Sequence, residues 1–79
     1  MNTPYYLDMN IYELDLSIRA NNILIRNGYK TIEDILKFNS KEEILSIEWF
    51  NRKCGIEVAT KLKKLSLPDN IWYEFLEEQ

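Results

Sequence analysis

The chain has no histidine, a single cysteine (Cys54), two glycines and two prolines in 79 residues. Each shortage excludes something. Without histidine there is no Cys-His pair and no Ser-His-Asp arrangement for nucleophilic catalysis. One cysteine forms no internal disulfide, and no ligand cluster surrounds it. So little glycine and proline leaves few turns for a many-stranded sheet and favours helices. No run of 18 apolar residues is present to span a membrane. The opening Met1-Asn2-Thr3-Pro4-Tyr5-Tyr6 has neither the basic nor the apolar region of a signal peptide. Phosphate loops and metal-ligand sets are missing as well. The acid pairs Glu33-Asp34, Glu42-Glu43 and Glu77-Glu78 are sequence neighbours, and two of them fall in the first turns of expected helices, where they favour the helix dipole. We therefore expect a cytoplasmic protein that is not an enzyme and needs no cofactor or metal.

What is present is enough for one core. Hydrophobic residues make up 46% of the sequence and charged residues 29%, a balance that folds rather than stays disordered. The net charge of −3 is unevenly spread. Residues 1–15 carry Asp8, Glu13 and Asp15 with no base. Residues 16–65 carry all ten Lys and Arg against six acids. Residues 66–79 carry Asp69, Glu74, Glu77 and Glu78 with no base. A basic middle between acidic ends can face phosphates, or can simply solvate a small domain.

Residues 1–10 show no helical period; Tyr5, Tyr6, Leu7 and Met9 are expected to lie extended over the core or to be partly frayed, and Tyr12, Leu14 and Leu16 alternate as an extended segment would. Ser17 is an N-cap for a helix from Ile18 to Asn27, with Gly28 placed for a left-handed C-terminal cap. On that helix Ala20, Ile23, Leu24 and Asn27 share one side and Arg19, Asn22 and Arg26 another. Thr31 with Asp34 starts a second helix ending near Phe38-Asn39. Ser40-Lys41-Glu42-Glu43 reads as a capping box starting a third, with Ile44, Leu45 and Ile47 inside. Arg52 to Leu65 is the longest helix, with Val58, Ala59, Leu62 and Leu65 inside and Lys53, Glu57, Lys61 and Lys64 outside. Gly55 in its first turn signals close backbone approach. After Pro68, residues 69–78 place Ile71, Trp72, Phe75 and Leu76 on one side of a fifth, amphipathic helix.

The run Ile11-Tyr-Glu-Leu-Asp-Leu-Ser-Ile-Arg-Ala-Asn-Asn22, followed by Trp49-Phe50-Asn51-Arg52-Lys53, resembles the C-terminal domain of the bacterial RNA polymerase alpha subunit over residues 11–66. The resemblance implies an all-α, compact bundle of four to five short helices whose third and fourth form a helix-hairpin-helix. It implies that Arg19 and Asn22 enter a DNA minor groove and touch the backbone. It also implies a left-handed bend at Asn51, where the family has glycine, and a phosphate site at the following helix start with Arg52 and Lys53. Phe50 matches the family's buried apolar anchor. Trp49 stands in place of an asparagine and Cys54 in place of a serine.

The expected organisation is an N-terminal extended segment (1–10), the alpha-type helical domain (11–66) and an acidic aromatic helix or tail (67–79). The Met start and acidic end suggest a stand-alone domain, and the Ile, Asn, Lys and Glu bias suggests an AT-rich bacterial, phage or plasmid genome. The expected function is a transcription-related module binding AT-rich DNA minor groove through Arg19, Asn22, Arg26, Asn51, Arg52 and Lys53, or RNA polymerase or a regulator. The alternative is a protein-interaction module, a decoy or adaptor, that has lost DNA binding. Trp49, Trp72 and Phe75 are the candidate partner-binding residues. Trp49 is expected to be partly buried, with an exposed anchor as the other reading. The C-terminal segment is expected to cap the core, with docking of a partner or a second copy as the other reading.

Overall fold

The computed structural model describes residues 5–78; residues 1–4 of the expected N-terminal segment, and Gln79 of the tail, lie outside it. Among the described residues there are four α-helices, α1 (Ile18–Arg26), α2 (Ile32–Ile35), α3 (Lys41–Leu45) and α4 (Arg52–Lys64). Three 3-10 stretches accompany them, Tyr5–Asp8, Ile11–Leu14 and Ile71–Glu78. The fold is all-α, as expected. None of these helices is long and apolar enough to cross a membrane.

Local chemistry explains the helix starts. Ser17 Oγ accepts from Ala20 N at 3.2 Å, Thr31 and Asp34 form a reciprocal capping box, and Asn51 Oδ1 accepts from Cys54 N at 3.0 Å. The box expected at Ser40 is displaced by one residue: Ser40 Oγ accepts from Glu43 N at 3.1 Å, but Glu43 Oε1 turns to Asn39 N. The α1 end is a Schellman motif: Gly28 N donates to Ile25 O and Tyr29 N to Leu24 O, with Gly28 at φ +91°. The α4 end repeats the pattern with Ser66, at φ +60°, in the glycine's place.

Three expectations about local form are corrected. Residues 5–14 are not extended but form two 3-10 turns, because Ile11 and Leu14 must both point inward while Tyr12 points out. Asn10 and Thr31 form an antiparallel bridge that pins this segment to α2, with Ile11 N donating to Lys30 O and Ile32 N to Met9 O, each at 2.9 Å. The second helix stops at Ile35, three or four residues early. Its last carbonyl accepts from Trp72 Nε1 at 2.6 Å instead of continuing the helix. The C-terminal element is a 3-10 helix rather than an α-helix. Three residues per turn superpose Trp72 and Phe75 on one inward row.

The core joins Ile11, Leu14, Leu24, Ile32, Ile35, Ile44, Val58, Leu62, Trp72 and Phe75, all buried. Trp72 is its aromatic hub, with ring centroids 5.8 Å from Phe50, 6.0 Å from Phe38 and 6.1 Å from Phe75. Gly55 is glycine because Phe75 lies on it: a Cβ there would sit 2.7 Å from the ring. Trp72 and Phe75, nominated as partner-binding residues, are therefore fully enclosed and offer no surface. The capping reading of the tail describes this geometry. A homodimer contact through the tail has no anchor in either ring.

Candidate nucleic-acid interface

Two elements set the geometry of the basic region. The amphipathic α1 buries Ala20, Ile23 and Leu24, which turns Arg19, Asn22 and Arg26 outward. The bend between α3 and α4 is a four-residue turn closed by Phe50 N donating to Ile47 O at 3.0 Å. Phe50 is buried, as expected, and anchors the bend. Asn27 Nδ2 ties α1 to it, donating to Ile23 O at 2.8 Å and to Glu48 O at 3.4 Å.

The bend differs from its expected form. Asn51 is not left-handed: its φ of −134° and ψ of 177° are extended, because its carboxamide caps α4 and an N-cap residue takes β-region angles. The left-handed residue is Trp49, at φ +73°. It occupies the third position of the turn, where a positive φ normally selects glycine or asparagine. Nor is Trp49 partly buried: the indole is 72% exposed. With its backbone reversed and Phe50 turned inward, the neighbouring side chain has nowhere to go but outward.

Five of the six nominated DNA-binding residues line two adjoining shallow concavities that share Arg19. The first, about 350 Å³, is lined by Arg19, Asn22, Ile23, Arg26 and Trp49. The second, about 330 Å³, is lined by Ser17, Arg19, Asn51, Lys53, Cys54 and Glu57. Arg52, the first residue of α4, is exposed and lines neither. Residues 19 and 53 are remote in sequence, yet the fold brings them to one strip.

One positioning residue had no signal in the sequence. Glu57, expected outside on α4, is half-buried and accepts from both the backbone N–H and the hydroxyl of Ser17. It clamps the start of α1 onto α4 across 40 residues and so registers Arg19 against Lys53. A carboxylate at the N-terminal end of α1 also suits the helix dipole. The pairing is long-range, and no local spacing announces it. Cys54 is buried, with its backbone N–H spent on the Asn51 cap. Among the described residues no group of three or more His, Cys, Asp or Glu side chains is arranged to hold a metal.

An all-α domain with a basic strip spanning its first helix and a helical hairpin defines a class of small helical modules. This protein belongs to the family formed by the C-terminal domain of the bacterial RNA polymerase alpha chain, whose family model matches residues 2–64. The match starts earlier than the resemblance over residues 11–66 and stops short of the Ile71–Glu78 element. Among curated relatives, the DNA-directed RNA polymerase subunit alpha of Moorella thermoacetica is 39% identical over 61 residues. Those of Alkaliphilus metalliredigens and Clostridium acetobutylicum are each 41% identical over 61 residues. Each alignment covers 77% of this protein and 19% of the relative, so the sequence spans about a fifth of the proteins it matches. Family membership makes it a transcription-related module.

Proposed function

We propose that this domain binds AT-rich DNA in the minor groove while acting in transcription alongside RNA polymerase or a regulator. The observation that carries the reading is the convergence of Arg19, Asn22, Arg26, Asn51 and Lys53 on two concavities joined at Arg19. An arginine is drawn into a narrow A·T minor groove by its concentrated negative potential. Asn22 donates to base-edge acceptors or phosphate oxygens, and Lys53 and Arg52 flank the N-terminus of the 13-residue α4, where backbone N–H groups favour a phosphate. The relatives' name, DNA-directed RNA polymerase subunit alpha, supports placing this binding at transcription.

The test is fluorescence anisotropy with an AT-rich duplex across a salt series. Neutralising four phosphates by Arg19, Arg26, Arg52 and Lys53 gives a log–log slope of roughly −3 to −4. Arg19→Ala removes the shared residue and abolishes measurable binding. Unchanged affinity in that variant sinks the reading.

A second reading, a protein-interaction module, has its own observation. Tyr12 and Ile18 are 63% and 81% exposed and line a third concavity with Asp15, Leu16, Asn21 and Asn22, the last shared with the first basic concavity, and there Asn21 Oδ1 is buried without a hydrogen-bond partner. Exposed apolar side chains beside an acid and an unsatisfied amide suit a protein surface. Retained capture of RNA polymerase by Arg19→Ala, with loss in Ile18→Asp, separates this surface from the DNA strip.

A further inference from the structure

We propose that Trp49 is itself a DNA contact, its indole stacking on a base at a weakened step, so that this domain prefers AT-rich duplexes carrying a mismatch over fully paired ones. The inference rests on the DNA-binding reading above and adds the kind of DNA recognised.

Three observations carry it. First, the indole lines the same concavity as Arg19, Asn22 and Arg26, and no carboxylate lines it with them. A flat π surface among cationic and amide groups is what base stacking beside a phosphate backbone requires. Second, the ring is 72% exposed, so it contributes little to the core of this fold. Third, it is presented from a stiff base. Phe50 beside it is packed against Trp72 with 5.8 Å between ring centroids, the turn is closed by the Phe50–Ile47 hydrogen bond, and Asn27 holds the Glu48 carbonyl. A rigid presenting loop loses little conformational freedom when the ring engages a base.

Apolar side chains that enter a minor groove between base steps must first unstack them. That opposing term is smallest where a base is already mismatched or unpaired. A preference for mismatched DNA follows directly, and Arg19 next to the ring supplies the attraction that brings the groove within reach.

The experiment measures anisotropy for two labelled AT-rich duplexes, identical except for one central mismatch, at one salt concentration. The wild-type protein binds the mismatched duplex roughly five- to tenfold more tightly. Trp49→Asn, which suits the left-handed backbone and keeps the fold, brings the ratio to one. Trp49→Phe restores part of the preference. Arg19→Ala loses both duplexes. The proposal is overturned if the wild-type protein shows no preference, if Trp49→Asn keeps it, or if Phe behaves as Asn does. In these cases the Arg19-dependent binding of paired DNA still stands as a separate result. If the folded protein binds neither duplex, this proposal and the DNA reading fall together.

Discussion

The two tryptophans of this protein do opposite work. Trp72 is fully buried, donates its indole N–H to Ile35 O and touches three phenylalanines. Trp49 is largely exposed, sits on a left-handed backbone and borders the basic strip. Burial of a large ring with its polar handle satisfied is a stability device. An exposed ring on a conformation that disfavours L side chains adds nothing to the core and carries a local strain. The difference locates stability at the tail side of the molecule and leaves the proposed binding surface at the α1 and bend side.

Substitutions should keep those two sides separate. The largest effect is expected from Trp72→Ala, which removes the hub and leaves the Ile35 carbonyl without its donor. Thermal or urea unfolding should show a loss of about 3–5 kcal/mol. Gly55→Ala drives a methyl into the Phe75 ring and should cost about 1–3 kcal/mol in the same assay. Arg19→Ala should leave stability within about 0.5 kcal/mol while DNA binding is lost, since Arg19 is exposed and outside the core. Trp49→Asn should raise stability by about 0.5–1 kcal/mol through relief of the left-handed strain, the reverse of any substitution at Trp72.

The smallest effect concerns pH. Backbone N–H donors from Lys30 and Thr31 hold the Asp34 carboxyl below the usual aspartate range. A lowered folded-state pKa means that the stabilisation is present above the unfolded value, about 4, and is lost as pH falls through the folded one. Unfolding measured down an acid series should show this loss in the wild-type protein, and less of it in Asp34→Asn.

The helix starts and the outward set on α1 were legible because caps and helical periodicity are local signals. Ser17, Thr31 and Ser40 each accept from a backbone N–H at their helix start, and Gly55 marks the close approach it suggested. The misreadings arose where local chemistry had two outcomes. Asparagine suits both an N-cap and a left-handed bend, and at Asn51 the cap prevailed, which passed the positive φ to Trp49. Apolar residues at 71, 72, 75 and 76 fit an α-helix, but packing Trp72 and Phe75 in one row selected the tighter 3-10 form. The Ser17–Glu57 clamp was invisible because it joins residues 40 apart. The grouping of Arg19 with Lys53 was available only through the family resemblance.

The most direct test of the central claim is an NMR titration of the labelled protein with a short AT-rich duplex at low and moderate salt. The account predicts shifts concentrated at Arg19, Asn22, Arg26 and Trp49 through Lys53, weakening as salt rises, with the Trp72 indole signal unmoved. A folded protein whose spectrum stays unchanged at both salts, or whose shifts gather at Tyr12 and Ile18 instead, would contradict it.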